Sequence, residues 1–597
     1  MRLESGLIIR SGLKVKNKVK HEFRICALAL ALLFCGAFSF SQVVIEPTLD
    51  FYESARQWQV KGLVGFLPQV SPYPAIVVKE ILDDVIENGD EADAETAKYY
   101  YEKYFKKQWR AALEVGAKVK ASAGGGGGFN KFISIEPSVY GDVLFKDWIS
   151  LGYNLGLSLH NSGTESGELL KAFQNEPLNT WGDPASFGPL EGNWDMAAGL
   201  NVGNSTINGI IGANRIGFAN IFGHDSIVVN PNSCHMNNFV VNYASEKWQY
   251  SQSISQVAAK NFKGEFTANK FLAFHSVRFT PIKQLSISYF ETGIFGERFD
   301  PSYLIPAPYI LLQGMFDAGD NDIYGLSFEY RPFDRLEAAL TFAVDDISVD
   351  DWGKGKFDSK FKAALQTGAV YTPASGFCKK LSLDYTLVLP YMYSHWINSP
   401  SKSAPVAADT FNYQDYTNHG VSIGSNLRPN SDRLHFEIHF EPVKRLNLNL
   451  STDFVRHGNE TESWTVNEAV AHCEKFAAGD NTGGIATDPY PKSVQERQVF
   501  MRQKHKMYVF QCGLQGSWEA FRKKWGVLEL KLGYTFEYIC NKGVDNAIYT
   551  SDVAAAINSA KTETEKYMLV SNAWQNWKDK LYDEVNNYIS LSVKYSY

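Results

Sequence analysis

The sequence predicts an all-β fold, a transmembrane antiparallel β-barrel of about 18 strands with a small α-helical segment ahead of it on the periplasmic side. Three observations predict it. The chain ends in an unbroken apolar/polar alternation, Ile589, Ser590, Leu591, Ser592, Val593, Lys594, Tyr595, Ser596 and Tyr597, that closes on an aromatic ring. Its amino terminus has the pattern of an export leader. Between the two, alternating runs follow one another through connections that are short and long by turns. Alternation of this kind is what lipid on one face and water on the other demand, because successive side chains of a strand point to opposite faces.

Residues 1–41 read as a secretory signal. Arg10, Lys14, Lys16, Lys18, Lys20 and Arg24 form a basic region, ICALALALLF supplies the apolar stretch, and Gly36, Ala37, Ser39 and Ser41 are the small residues of a cleavage site. The apolar stretch is shorter than the roughly 20 residues a spanning helix needs. Nothing after Gln42 is a second hydrophobic span, so an exported chain of this kind is either soluble or a barrel. Composition favours the barrel: 14% aromatic and 21% charged residues in 597, with a mean hydropathy of -0.24, is what polar inward faces produce. Beyond Ser41 the formal charge is near -12 (51 basic against 63 acidic groups), which excludes nucleic acid as a natural partner. Five cysteines remain there (Cys234, Cys378, Cys473, Cys512, Cys540), an odd number without CxxC spacing, so no disulfide framework is expected.

Residues 42–107 hold the helical segment. Pro74 suits a first helical turn, and Val77, Ile81, Leu82 and Val85 recur at helical spacing, which predicts helices over 75–87 and 92–107. These are expected to plug or brace the periplasmic mouth. Residues 108–597 form the barrel, beginning near Trp109. Short turns at 280–284 (TPIKQ), 331–335 (RPFDR), 372–379 (TPASGFCK), 441–445 (EPVKR) and 521–525 (FRKKW) each join two alternating runs. Long polar stretches at 295–320, 346–359, 391–431, 456–502 and 541–586 separate the hairpins and should face outward. The alternation is cleanest in two places. Ile149, Leu151, Tyr153, Leu155, Leu157 and Leu159 share one face, and so do Leu528, Leu530, Leu532, Tyr534, Phe536 and Tyr538, with Glu529, Lys531, Thr535 and Glu537 opposite them. Charges on such a strand belong on a wetted lumen face. An even strand number puts both ends in the periplasm. A further helix is expected over 554–581, which lacks Gly and Pro. Soluble β-sandwiches also alternate, but their strands are shorter and lack repeated outward aromatics.

Candidate chemistry is sparse. GVSIG at Gly420 to Gly424 matches GxSxG, with His419 before it, but a nucleophile elbow must be followed by a helix, and SNLRPN is turn chemistry. His435, Glu437 and His439 share one strand face; at about 3.3 Å per residue the two histidines lie ~13 Å apart and cannot close a metal site by themselves. A solvated lumen face is expected there. Asp317, Asp320 and Asp322, and Asp345, Asp346, Asp350 and Asp351, offer hard oxygen ligands without the spacing of a calcium loop of the EF-hand type. The glycines at 124–128 make an outer turn, and no Lys-Ser/Thr pair follows to make a phosphate loop. No catalytic residue, metal or cofactor is assigned. Trp352, Trp396, Trp464, Trp574 and Trp577 in the outer loops could stack on sugar rings, with Asp345 and Asp346 accepting hydroxyl hydrogen bonds; the competing role for such rings is membrane anchoring or loop packing.

From Lys270 onward the chain resembles the Wzi-like capsule assembly family. The likeness is carried by KFLAFHSVRFTPIKQLSISYFETGIFGERFDPSYLIP (270–306), NDIYGLSFEYRPFDRLEAALTFAVDD (321–346) and HGVSIGSNLRPNSDR (419–433). The resemblance implies a monomeric protein of the outer membrane of a diderm bacterium that binds or organises exported polysaccharide without catalysis, in contact with lipid and with surface glycan. The terminal aromatic similarly resembles the signal read by barrel-assembly machinery. A porin or solute-uptake channel is the alternative, and a membrane hydrolase built on Ser422 a third.

Overall fold

The computed structural model describes residues 50–597 apart from 107–108, 126, 147, 162–168, 175–184, 262, 317–319, 348–352, 356–360, 375, 396–408 and 476–499. Eighteen strands close into one antiparallel barrel. They are β1 (Trp109–Ala123), β2 (Gly128–Lys146), β3 (Ile149–Asn161), β4 (Leu190–Gly203), β5 (Ile207–Asn214) and β6 (Met236–Ala244). Then follow β7 (Trp248–Lys260), β8 (Phe266–Ile282), β9 (Leu285–Gly296), β10 (Asn321–Phe333), β11 (Leu336–Ile347) and β12 (Phe361–Tyr371). The last six are β13 (Cys378–Val388), β14 (Ser431–Val443), β15 (Leu446–Gly458), β16 (Lys506–Lys523), β17 (Gly526–Lys542) and β18 (Tyr582–Ser596). A three-residue strand, Ala185–Phe187, pairs with the start of β4 outside this succession.

The two ends of the barrel differ as the sequence predicts. At one end, pairs such as Ile282↔Leu285, Phe333↔Leu336 and Val443↔Leu446 leave two-residue turns, and Arg335 and Arg445 sit at φ 69° within them. Two-residue hairpin turns need left-handed backbone to match the twist of the strands they join. The other end carries the long connections. The final alternating run, β18, closes the cylinder against β1 from Ala112↔Ser596 to Ala123↔Val585, and Trp109 and Tyr597 meet with ring centroids 6.0 Å apart. Outward positions are apolar: Leu113, Leu514, Leu532, Ile589 and Leu591 are all exposed. Exposed Trp109, Trp148, Trp248, Phe333, Trp525 and Tyr597 mark the turn end, the amphipathic girdle that a lipid interface favours.

The inward face departs from the wetted lumen expected. Residues 215–235, between β5 and β6, fold down into the barrel, and most of them are buried. There they meet the stretch after the first helix, with Val70↔Phe218 and Ser71↔Gly217 forming a two-stranded ladder. Tyr391, Tyr393, Tyr416, Ile423 and Leu427, from the β13–β14 connection, pack into the same core as Ile216, Phe218, Ile227 and Val228. Leu169–Gln174, from the β3–β4 connection, also reaches the wall: the Ala172 N–H donates to Glu537 at 2.8 Å and Gln511 donates to the Ala172 carbonyl at 3.0 Å. A cylinder of this circumference leaves more internal volume than wall side chains fill, and here chain folded in from the loops supplies a second hydrophobic core.

Helix α1 (Asp50–Lys61) precedes the expected helices, which appear as α2 (Ala75–Asn88) and α3 (Glu91–Tyr101), the latter widening into a π turn at Glu102–Lys106. Phe51, Ala55 and Trp58 of α1 pack on Leu82, Val85 and Tyr100. Asp90 caps α3 by accepting the Asp93 N–H at 2.9 Å. This bond holds the Asp90 carboxyl below the usual carboxylate range. The bundle is seated in the turn-end mouth: Arg56 of α1 reaches Glu329 at 3.1 Å and Glu337 at 2.8 Å on β10 and β11. Beyond the first three helices come a short α4 (Tyr309–Phe316) and α5 (Val466–Lys475). The single helix expected over 554–581 is two, α6 (Ser551–Ser559) and α7 (Glu563–Lys578).

Candidate functional site

At the loop end, α5, α6 and α7 pack together as a cap. Thr562 starts α7 with a reciprocal capping box, accepting the Glu565 N–H at 3.2 Å while its own N–H donates to Glu565 Oε2 at 3.1 Å, so the chain reverses there and α6 lies back on α7. Trp464 enters the core beneath, 7% exposed, with its indole N–H donating to the Tyr391 hydroxyl at 3.2 Å and its ring stacked on Tyr549. Trp577, 5% exposed, donates to the Gly543 carbonyl at 3.1 Å. His472 lies edge-on to Trp464 at 5.0 Å, and burial lowers its pKa from 6.5 to about 3, because charging an imidazole away from water is costly.

The sequence-predicted ligand residues therefore fall into three groups. Trp464 and Trp577, expected to offer ring faces in the loops, are correctly placed in sequence but turned inward: their rings are the core of the cap and their N–H groups are spent on internal acceptors. Trp574 is half-buried beside Trp577 at 6.5 Å, with the Lys578 ammonium 5.7 Å from its ring; near it on α7, Tyr567 and Met568 are exposed. Trp352 and Trp396 lie outside the described residues. Asp345 is buried and accepts the Tyr393 N–H at 2.7 Å, holding the infolded connection to the wall, while Asp346 lies 3.6 Å from Lys362 on the next strand, whose ammonium donates to the Ser394 carbonyl at 2.7 Å. Asp320 accepts from Tyr303 at 2.9 Å and pairs with Arg298. Asp317, Asp350 and Asp351 lie outside the described residues.

Two other sequence motifs resolve clearly. Ser422 sits in a two-residue strand paired with Thr417 and Asn418 across a turn at His419 (φ 52°) and Gly420 (φ 76°). GxSxG is here a tight hairpin, with no helix to present the serine as an elbow requires. His435, expected on a solvated face, is 5% exposed because the infolded segment covers it. Glu437 pairs with Lys380 at 2.6 Å, and His439 stands near Gln57 of α1 at 3.4 Å.

At the turn end the bundle leaves one side of the mouth open. A cavity of about 1290 Å³ runs between α1, α3 and the inner faces of β1–β4 and β14–β18. Charges of both signs line it, among them Lys103, Glu114, Lys118, Glu529, Lys531 and Lys594, and it extends to Lys444 and Arg445 at the turns. The infolding of residues 215–235 was the principal thing missed from sequence, although NPNSC in the middle of an apolar stretch is a turn signal inside what otherwise reads as a strand.

No family model matches the chain, and no curated protein matches it. Among solved structures it is similar to Wzi of Escherichia coli, an outer-membrane protein involved in group 1 capsule assembly that is described as a carbohydrate-binding β-barrel. The identity is 10%, over 93% of this chain and 99% of that one, with a TM-score of 0.50. It also matches OprD of Pseudomonas aeruginosa at 9% identity over 82% of this chain and 95% of that one (TM-score 0.39). For OccAB4 of Acinetobacter baumannii the figures are 8%, 82%, 99% and 0.39. At these identities the first likeness is one of fold, and the other two carry no weight.

Proposed function

We propose that the chain is exported through the signal at residues 1–41, inserted into the bacterial outer membrane by barrel-assembly machinery, and acts there as a monomer that binds or organises exported polysaccharide at the cell surface, without catalysis. One observation carries the reading: the middle of the barrel is filled by a hydrophobic core of infolded chain and its outer end is capped by helices. That arrangement gives up a conduit for solutes and provides a rigid platform with an irregular outer surface. Polysaccharide recognition suits such a platform, because sugar rings stack on aromatic faces while their hydroxyls need fixed polar partners. The shared fold with a barrel described as carbohydrate-binding supports the same reading. Trp574 on the cap, together with Trp352 and Trp396, are the proposed stacking residues.

The test is a pull-down of the native host's surface glycan by purified protein, alongside single-channel conductance in a planar bilayer. Retention of glycan with no steady conductance is the expected result. Failure to retain it, with ready flux of general solutes, would mean a porin and overturn the reading. A deletion strain should shed polysaccharide that the parent keeps cell-associated.

A further inference from the structure

Asp384, His435 and Asp453 form a row across three neighbouring strands of the inner wall: Asp384↔His435 are register partners on β13 and β14, and His435↔Asp453 on β14 and β15. The infolded segment lays His224 onto this row. Its imidazole Nε2 is 2.8 Å from Asp384 Oδ1, and its ring centroid lies 3.8 Å from that of His435. His224, Asp384 and His435 each offer one ligand atom within 4.8 Å of the others. The placement of His224 is rigidly set, because its neighbour Asp225, fully buried, accepts from Asn230 at 2.6 Å, Ser425 at 2.6 Å, the Asn426 N–H at 3.0 Å and Arg433 at 2.8 Å.

Two atoms of the cluster have no partner among the described residues. His435 is 5% exposed and Asp384 is 1% exposed, yet His435 Nε2 and Asp384 Oδ2 are buried without a hydrogen-bond partner there. An orphaned buried acceptor is costly, and here two belong to register partners on neighbouring strands. Meanwhile His435 Nδ1 lies 2.8 Å from Asp453 Oδ1. A carboxylate on one ring nitrogen fixes the proton there and leaves the lone pair of the other free, as in histidines that bind metals. The charges agree: three carboxylates (Asp225, Asp384, Asp453) face a single guanidinium (Arg433), leaving a formal excess of two negative charges around the two imidazoles.

We propose that His224, His435 and Asp384 bind a divalent transition-metal ion, Zn2+ by preference, and that the ion pins the infolded segment to the barrel wall. Two imidazoles and a carboxylate form a borderline donor set that selects zinc-like ions over calcium or magnesium. Asp453 acts as a positioning residue. Loading moves the His224 proton from Nε2 to Nδ1, which gives up the contact with Arg433, whose NH2 lies 3.2 Å from His224 Nδ1; Arg433 retains Asp225. Sequence spacing cannot reveal the set, since His224 and His435 are joined only by the fold.

Untagged protein in detergent, stripped with EDTA and dialysed, tests this with Zn2+ alone. We expect one zinc per chain by elemental analysis, and X-ray absorption showing two imidazoles in its shell. His435→Gln, His224→Gln and Asp384→Asn each weaken zinc binding at least 100-fold, whereas Asp453→Asn keeps the 1:1 stoichiometry and loses about 10- to 100-fold in affinity. His439→Ala, on the same strand face, leaves both unchanged. Heat-modifiable gel mobility verifies that each variant is a closed barrel. Stripped wild-type protein that takes up less than a tenth of an equivalent, zinc bound without imidazoles, or folded triad variants that bind as the wild type does, would each overturn the proposal.

Discussion

Arg56 is the residue on which the seating of the amino-terminal bundle turns. Its guanidinium bridges Glu329 and Glu337, both nearly fully buried, and Gln59 donates to the same pair at 3.1 and 2.6 Å. Removing one member of a buried ionic cluster leaves uncompensated charge, so Arg56→Met should destabilise the docking of α1 by about 3–5 kcal/mol. The check is limited proteolysis, with cleavage between α1 and β1 appearing in the variant while the barrel stays closed. His472 supplies a second prediction. Its pKa is held near 3 in the folded cap against 6.5 free, so the unfolded cap binds a proton that the folded one refuses. Cap stability is full above about pH 6.5 and falls as the pH drops below it, by about 2 kcal/mol at pH 5. Hydrogen exchange in α5, corrected for intrinsic rates, should quicken accordingly at pH 5; equal protection at pH 5 and 7.5 would contradict it. At this scale the outward residues were legible, since the alternation that exposes Leu532 and Tyr534 is written locally. His224 was not, because its partners stand 160 and more residues away and no local pattern encodes that meeting.

Single elements were legible where their period is long and their ends are marked. The two-residue turns at Asp334–Arg335 and Lys444–Arg445 fell within the predicted RPFDR and EPVKR, and β17 and β18 followed the predicted alternation. The helix over 554–581 was read as one where the structure has two, although Thr562 and Glu565 spell the S/T-x-x-E start signal of α7. Thr562→Ala removes one side of that box and should cost the cap about 1 kcal/mol, seen as faster exchange confined to α6 and α7. Helices α1 and α5 escaped notice because each is short and half its apolar face is aromatic or polar; α1 nonetheless carries Phe51, Ala55 and Trp58 at helical spacing. Propensity is weak over so few residues, and docking in the mouth is what makes α1 helical.

For the whole molecule, the cylinder could be read from the chain and its contents could not. Period-2 patterning states which side of a wall meets lipid, but a lumen face looks the same to the sequence whether water or folded chain covers it. The infolded core makes a specific demand. Replacing residues 215–235 by a short Gly/Ser turn removes the central layer of the plug and should convert a silent protein into one with steady ion conductance in a planar bilayer, provided gel mobility still reports a closed barrel. No conductance in that variant would mean that the remaining connections suffice to seal the lumen.

The pairing of β1 with β18 fixes an order of events. The first strand of the barrel has no permanent neighbour on one side until β18 is made, some 470 positions later. Until then both lips of the unfinished sheet carry unsatisfied N–H and C=O groups, which in hydrocarbon or in crowded solution invite adhesion to anything extended. Closure must therefore wait for β18, and a copy lacking residues 582–596 would remain an open ribbon, exposed to proteases and unable to satisfy its edges in lipid.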